Sequence, residues 1–337
     1  MKWMSGLAPA VLAIACASTT PAPLATRQAV SISEDAPITR CVNLGNALEA
    51  PREGEWNYEI KAEHFDIVAQ AGFDTVRIPI AWSHHADPYP PYSIDEKLFE
   101  RVDEVIAQGL AADLTVIINI HHFGGLMYEP DRFEPKLDEL WRQIAERYAD
   151  YPDKLVFELL NEPHGRMTTA RVDQMNHRLV RQIRETNPER WLIISGADWG
   201  NIEPLLKSAP PPGDRLIGSF HYYAPFEFTH QGAHWIKNPP PSGRDWGDEE
   251  ERAQLADEIE SARAFGQAQG LPLFLGEFGV FGDVPLESRA VWTEAVRREA
   301  EAAGMSWCVW DFAASFPAYD LDSGEWISPL YNALFED

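Results

Sequence analysis

The feature of this sequence that most limits its fold is an alternation of short apolar runs with longer amphipathic segments. Eight runs rich in β-branched and other apolar residues recur from residue 41 onward, and segments with helical periodicity separate most of them. The strand-like runs cover residues 41–46, 75–80, 115–120, 155–160, 191–195, 216–222, 271–276 and 305–310. The helical segments include residues 58–71, 95–108, 136–148, 169–186, 249–269 and 286–303. This alternation indicates a parallel sheet with helical crossovers.

Eight such strands predict a single-domain (β/α)8 TIM barrel, an α/β fold whose active face is built from the loops that follow the strands. A doubly wound open sheet is the alternative. No glycine-rich phosphate-binding loop follows any of the strand runs, which weakens that alternative. The sequence after residue 30 shows no internal repeat or linker, so we expect one domain over residues 31–337.

The first 30 residues differ in composition from the rest. Lys2 precedes a small, apolar stretch and then a segment rich in Thr, Pro and Ala, which is the pattern of a secretory signal. Residues 12–16 also resemble a bacterial lipoprotein box, in which Cys16 would carry lipid. We therefore predict that residues 1–30 are a signal peptide and low-complexity leader. The protein would be secreted or periplasmic, with a lipid anchor at Cys16 as an open alternative.

The charge balance limits the classes of partner. The chain has 28 basic and 53 acidic residues, a formal net charge of −25. Such a charge argues against DNA, RNA and anionic membrane surfaces, whereas a neutral polymer would be little affected. No protein partner is implied, and we expect a monomer.

Apart from Cys16, the chain has two cysteines, Cys41 in the first strand run and Cys308 in the last. Free cysteine packs as a small hydrophobic residue, and a disulfide requires that the two side chains face each other. We favour two packed thiols and leave the disulfide open. A metal site is less favoured because neither residue has a C-x-x-C partner.

Two glutamates stand at the ends of strand runs. Glu162 lies in the string LLNEP at 159–163, and Glu277 lies in LGEFG at 275–279. Glycoside hydrolysis needs two carboxyl groups, one that protonates the leaving oxygen and one that attacks the sugar or activates water. Two carboxylates presented from separate strands of one scaffold meet this need. Glu158 lies deeper in the same strand run, where it should pair with a cation or hydrogen-bond donors. Asp311 has the opposite parity to Trp310, which favours a structural role.

Arg77 is a cation inside an apolar strand run, and its burial requires carboxylate partners. It could hold Glu277 ionised, because an adjacent cation lowers the pKa of a carboxyl group. An ion pair with Glu158 alone is the structural alternative, and both can hold at once.

Histidines and a tyrosine stand at the ends of two strand runs. His121 and His122 end the third run, and His221 and Tyr223 end the sixth. Paired histidines with a glutamate are ligand types that also suit zinc. No H-x-x-x-H or H-x-x-E-H spacing occurs at either place, so we predict neither metal nor cofactor. These side chains should instead hydrogen-bond sugar hydroxyls and the nucleophile.

Two of the 12 tryptophans are placed to meet a sugar. Trp310 ends the eighth strand run, and Trp235 lies in the long loop 224–247 after the sixth. A flat aromatic ring suits the apolar face of a pyranose. The sequence does not separate groove from packing for Trp82, Trp199, Trp246 and Trp326.

Seven strings, in this order and at the strand ends, resemble glycoside hydrolase family 5, the large cellulase family of retaining (β/α)8 enzymes. They are VNLGNALE at 42–49, VRIP at 76–79, IHH at 120–122, NEP at 161–163, HYY at 221–223, GEFG at 276–279 and WDF at 310–312. The stretch 221–235 looks most like the bacterial endoglucanase branch.

The resemblance implies a role for each matched residue. Glu162 would be the general acid/base, Glu277 the nucleophile, and Asn161 a contact to the sugar 2-hydroxyl. Arg77, His121, His221 and Tyr223 would surround the carboxylates, and Asn46, Glu49, His122, Trp235 and Trp310 would contact substrate. We further expect burial and the charge of Glu277 to raise the pKa of Glu162.

The implied reaction is retaining cleavage of internal β-1,4 bonds in a β-glucan or a related polysaccharide or oligosaccharide. A β-mannanase and an exo-acting β-glucosidase are alternatives within the same family. A non-catalytic carbohydrate-binding protein is the alternative of another class.

Overall fold

In the computed structural model, Met1 and residues 36–336 are described. The expectations for the leader, including lipidation of Cys16, lie outside the described residues. The expected barrel is confirmed: eight strands close in the order β1 to β8, and every neighbouring pair is parallel.

The barrel strands are β1 (Arg40–Asn43), β2 (Thr75–Ile78), β3 (Thr115–Asn119), β4 (Leu155–Glu158), β5 (Leu192–Ser195), β6 (Leu216–Tyr222), β7 (Leu273–Phe278) and β8 (Ser306–Val309). The helices are α1 (Ala62–Ala71), α2 (Glu96–Ala111), α3 (Gly124–Tyr128), α4 (Pro130–Arg147), α5 (Thr169–Arg184), α6 (Ile202–Leu205), α7 (Phe226–Thr229), α8 (Glu249–Gln269), α9 (Leu286–Ala302) and α10 (Ser328–Phe335). A short antiparallel pair, β9 (Tyr319–Asp320) and β10 (Glu325–Trp326), follows the barrel. Within the described residues, no helix is both long and apolar enough to cross a bilayer.

Periodicity located the six long helices, but not all of their ends. The helix expected at 136–148 begins earlier, at Pro130, because proline is well tolerated in the first helical turn. Asp248 starts α8 by accepting a hydrogen bond from the backbone N–H of Glu251 at 2.9 Å. The sequence analysis did not predict the shorter elements α3, α6, α7, α10 and the β9–β10 pair. Most of them are too short to show a periodic pattern of apolar residues.

Strand parity divides the barrel into layers. Alternate residues of the strands fill its interior with apolar side chains, including Ile117, Val156, Ile217 and Phe274. The next residues of the same parity toward the ends of β1 to β4 are polar: Asn43, Arg77, Asn119 and Glu158, all fully buried. The residues of opposite parity pack against the helices. A polar floor therefore lies under the loops at the ends of the strands.

The expectation of two packed thiols is wrong, because Cys41 and Cys308 form a disulfide. The two residues are direct register partners in the neighbouring parallel strands β1 and β8, with Cα atoms 4.1 Å apart. Both side chains therefore enter the barrel interior side by side, and the bond joins its first and last strands. Closure of the barrel creates this adjacency, which no local sequence pattern records.

Candidate active site

Both strand-end glutamates reach one point above the polar floor. Glu277 lies within β7, and Glu162 follows β4 with φ of 46°, a left-handed conformation that is rare outside glycine. One oxygen of each carboxylate and a ring nitrogen of His221 all lie within 4.8 Å of one another. This spacing matches the carboxyl pair of retaining glycosidases, about 5–5.5 Å, and leaves no room for the intervening water of inverting ones.

A bulge brings His221 to this point. Phe220 pairs with Leu275, but the next residue, His221, pairs with Glu277, so the β6–β7 register shifts by one. Such bulges redirect side chains at the rims of barrels. The neighbouring Gly276 leaves space for the ring, because a Cβ there would lie 3.1 Å from His221 Nε2.

Arg77 joins both carboxylates that the sequence suggested for it. Its Nη1 donates to Glu277 Oε1 at 2.7 Å, while Nε and Nη2 donate to Glu158 at 2.5 and 2.8 Å. Burial alone would lower the pKa of Arg77, but the charges and hydrogen bonds of Glu158 and Glu277 hold it above its ordinary value. Arg77 is therefore a permanent cation beside the carboxylate of Glu277, and Glu158 is its structural counter-ion.

The same guanidinium also orients two amides. Arg77 donates to Asn43 Oδ1 at 2.8 Å and to Asn161 Oδ1 at 2.7 Å. The Asn161 side chain then lies 3.3 Å from His121 Nε2. The amide nitrogen of Asn161 is thus turned toward His121.

The second oxygen of Glu277 is held from the opposite side. The Tyr223 hydroxyl donates to Glu277 Oε2 at 2.9 Å. Burial and the charges of Glu277 and Glu162 raise the pKa of Tyr223 well above its ordinary value, so the hydroxyl stays neutral and donating. With Arg77 on the other oxygen, the carboxylate of Glu277 has a fixed orientation.

The carboxylate of Glu162 has a different partner. His221 Nδ1 donates to Glu162 Oε1 at 2.9 Å and lies 3.6 Å from Glu277 Oε2. Although burial lowers the pKa of His221, the charges of Glu277 and Glu162 and this hydrogen bond raise it overall. The imidazole therefore holds a proton between the two carboxylates.

The expected rise in the pKa of Glu162 is wrong for this structure, which contains no substrate. Burial does raise this pKa, but the hydrogen bond and charge of His221, followed by the charges of Arg77 and His122, lower it overall. For Glu277, burial raises the pKa more than the charges of His221 and Arg77 lower it. The sequence analysis missed this because it did not pair His221 with Glu162.

Trp310 forms one wall of the cleft. Its ring lies nearly parallel to that of His121, at 7° with centroids 5.8 Å apart. Glycine is required on both sides of it: a Cβ at Gly45 would lie 2.7 Å from the indole, and a Cβ at Gly279 only 2.0 Å from the Trp310 carbonyl oxygen. The glycines in the two matched strings thus make space for the tryptophan.

The loop after β1 supplies Asn46 and Glu49. Asn46 donates to Ser315 Oγ at 3.1 Å, next to the Trp310 loop. Glu49 is buried and accepts hydrogen bonds from the backbone N–H groups of Asn46 and Ala47. Burial raises the pKa of Glu49 to about 8. Its contact with substrate stays a prediction, and the structure adds a role in holding this loop.

His122 and Trp235 stand at the rim. His122 is exposed and packs edge-on against the ring of His121, with centroids 4.7 Å apart. Trp235 is 48% exposed and connects to the site through His230, whose ring lies 6.5 Å from Trp235 and 5.1 Å from Tyr223. Neither side chain has a hydrogen bond to Glu162 or Glu277, and their contact with substrate stays a prediction.

The sequence analysis did not single out His164, and it left Trp199 undecided. The Trp199 ring is 49% exposed and stacks on His164 at 4.5 Å and 7°. His164 Nδ1 lies 2.8 Å from the carbonyl oxygen of Glu162, which places this stack beside Glu162. The other undecided tryptophans pack: Trp82 is fully buried, Trp246 packs beside Arg252 of α8, and Trp326 lies on the outer wall.

Three side chains of the site are of metal-ligand type. Glu162, His221 and Glu277 each offer one atom within 4.8 Å of the others, a donor set that would suit zinc. His221 Nδ1 is already engaged with Glu162, and Glu277 Oε2 accepts from Tyr223. A metal ion bound here would have to displace these hydrogen bonds. That the site holds no metal stays a prediction.

Comparison with known proteins agrees with this geometry. Residues 43–315 match the family Cellulase (glycosyl hydrolase family 5). The chain belongs to this family. This match confirms the resemblance seen in the seven strings.

Its relatives include bacterial endoglucanases. Endoglucanase H of Acetivibrio thermocellus is 33% identical over 299 residues, covering 87% of this chain and 32% of that protein. Endoglucanase A of Ruminococcus albus is 30% identical over 299 residues, covering 80% of this chain and 79% of that protein. A structure of Thermotoga maritima Cel5A in complex with cellobiose superposes with a TM-score of 0.87 at 42% identity, covering 89% of this chain and 98% of that one. This family 5 chain thus spans about a third of endoglucanase H but nearly all of Cel5A.

Proposed function

We propose that the protein is a retaining endo-β-1,4-glucanase. The observation that carries this proposal is the pair Glu162 and Glu277, with carboxylate oxygens within 4.8 Å of each other in a family 5 barrel. The relatives named above are endoglucanases, and the solved Cel5A structure holds cellobiose.

In the first step, an oxygen of Glu277 attacks the anomeric carbon as the bond to the leaving oxygen breaks. Glu162 gives that oxygen its proton, and His221 stands one hydrogen bond away to supply it. Arg77 and Tyr223 hold the two oxygens of Glu277 in a defined orientation. The product is a glycosyl ester of Glu277.

In the second step, water attacks the anomeric carbon and the ester bond to Glu277 breaks. Esterification removes the negative charge of Glu277, which is one of the charges that raise the pKa of His221. The pKa of this imidazole therefore falls, and Glu162 is free to take a proton from water. Glu277 returns as a carboxylate and the sugar keeps its β configuration.

The choice of sugar rests on the relatives. A second Thermotoga maritima Cel5A structure is in complex with mannotriose, with a TM-score of 0.86 at 42% identity. We nevertheless favour β-glucan because the relatives named above are endoglucanases. The intact catalytic pair disfavours a non-catalytic binding protein.

A substrate panel with product sizing tests the proposal. Barley β-glucan, carboxymethylcellulose, xyloglucan, glucomannan and cellobiose would be compared at equal enzyme concentration. We expect a fast fall in viscosity and mixed oligosaccharides from β-glucan. Release of glucose alone would indicate an exo enzyme, and faster cleavage of glucomannan than of β-glucan would indicate a mannanase.

We also propose that the protein is exported and acts as a monomer. The buried disulfide Cys41–Cys308 supports export, because such bonds persist in oxidising compartments. Cell fractionation of the full-length chain, with mass spectrometry of Cys16, would separate a free from a lipid-anchored form. Light scattering would report the oligomeric state.

A further inference from the structure

The outer wall of the barrel carries a groove that the catalytic site does not use. It has a volume of about 380 Å³ and lies between α1 and the elements β9, β10 and α10. Trp326 and Tyr331 line one side, and Gln70 and Ala71 of α1 line the other. None of the catalytic-site residues described above is part of it.

The groove combines aromatic rings with free amides and a hydroxyl. The side chains of Gln70, Ser328 and Asn332 make no hydrogen bond to any described residue and are exposed. Their donors and acceptors are therefore available to a ligand. Rings beside amides and hydroxyls suit a sugar, whose faces are apolar and whose edges carry hydroxyl groups.

The groove is also uncharged, although the chain has 53 acidic and 28 basic residues. None of its nine lining residues is Asp, Glu, Lys, Arg or His. A charged ligand would lose hydration in the groove without gaining a partner of opposite charge. A neutral ligand does not have this cost. The lining thus selects for a neutral, hydroxyl-rich ligand.

The aromatic wall is held in place before any ligand binds. The Trp326 ring packs against Phe73 at 5.5 Å and Tyr319 at 5.4 Å. The Tyr331 hydroxyl donates to the carbonyl oxygen of Ala71 at 3.2 Å, which fixes its ring. A rigid platform loses little side-chain entropy on binding.

We propose that this groove is a second carbohydrate-binding site, which takes a segment of β-glucan chain on the outer wall. This inference rests on the polymeric substrate proposed above. Once a long chain is bound in the cleft, its second segment is held near the groove at a high effective concentration. The overall affinity for the long chain therefore rises. A short oligosaccharide would bind the two sites independently.

The test uses the full-length chain with Glu162→Gln, so that the sugar is not cleaved, and with 5-fluorotryptophan in place of tryptophan. Cellohexaose is titrated while the ¹⁹F signals of Trp310 and Trp326, assigned by Trp→Phe variants, report the cleft and the groove. We expect both signals to shift, with different apparent Kd values. Retardation in native gels that contain barley β-glucan gives an independent measure.

The double variant Gln70→Ala/Asn332→Ala should weaken the Trp326 titration by about tenfold or more, because two hydrogen-bonding groups are lost. It should also reduce gel retardation and leave the Trp310 titration in place. Gln174→Ala, which removes an exposed amide from α5, is the matched control and should change neither.

Each other outcome has a defined meaning. A Trp326 signal that does not respond to cellohexaose while Trp310 does, as when another chain segment or a second copy fills the groove, overturns the inference. A double variant that titrates like its parent also overturns it. If neither tryptophan responds, the proposed function itself fails.

Discussion

His221 Nδ1 lies 2.9 Å from Glu162 Oε1, so the acid/base shares its proton with an imidazole. The same nitrogen is 3.6 Å from Glu277. Because three titratable groups meet here, their protonation steps belong to the cluster and not to single residues. The pH dependence of activity should therefore report the cluster.

The first prediction concerns the shape of the pH profile. Activity should fall at low pH as Glu277 is protonated, with a midpoint above 4.5, because the pKa of Glu277 is raised. It should fall at high pH as the proton shared by His221 and Glu162 is lost, with a midpoint above 6.5. Measurement of kcat/KM between pH 3 and 10 on β-glucan checks both limbs.

The second prediction changes His221→Gln, which removes the imidazole. The proton then resides on Glu162 alone, a carboxyl group whose ordinary pKa is 4.5 compared with 6.5 for histidine. We expect the alkaline limb to move to lower pH and kcat to fall by about 10²-fold. An alkaline limb that does not move would show that His221 does not hold the proton.

The residues around this cluster show what the sequence could and could not predict. Glu162, Glu277 and Arg77 were found because carboxylates at strand ends and a cation in an apolar strand are unusual. The fold was predicted because strand and helix periods are local properties. The His221–Glu162 bond depends on a bulge, and the Cys41–Cys308 bond depends on barrel closure. Both are relations between distant strands, which a single sequence does not record.

The third prediction separates the two carboxylates. Glu277→Gln should abolish attack, and Glu162→Gln should remove protonation, each with a loss of at least about 10³-fold in kcat on β-glucan. Sugar binding should remain, because neither change alters the walls of the cleft. NMR of the earliest wild-type product should show the β-anomer, and an early α-anomer would contradict the retaining mechanism.

The fourth prediction distinguishes the structural from the catalytic role of Arg77. Arg77→Met leaves the buried Glu158 unpaired and should lower the free energy of unfolding by about 3–5 kcal/mol. Arg77→Met/Glu158→Leu should recover much of that stability but not the activity, because Glu277 still lacks its cation. Urea unfolding and kcat are measured on both variants. Full activity in the stabilised double variant would show that Arg77 acts only through the fold.

The last prediction concerns Asp311, which is fully buried with Oδ2 unpartnered among the described residues. Burial raises its pKa from 3.8 to about 7, even though hydrogen bonds from the backbone lower it. Between these pH values the folded protein binds more protons than the unfolded chain, so stability should fall as pH rises, by about 1.4 kcal/mol per unit of pKa shift. Asp311→Asn keeps an acceptor for the N–H of Ala314 and removes this titration.

We therefore expect the difference in Tm between Asp311→Asn and wild type to move in favour of the variant between pH 4 and 7 and to level off above that range. Any constant cost of the asparagine cancels from this comparison. The exposed Asp322→Asn serves as the matched control, and its difference from wild type should not follow pH in this way. A constant difference for Asp311→Asn across the range would mean that the buried carboxyl group does not change its protonation there.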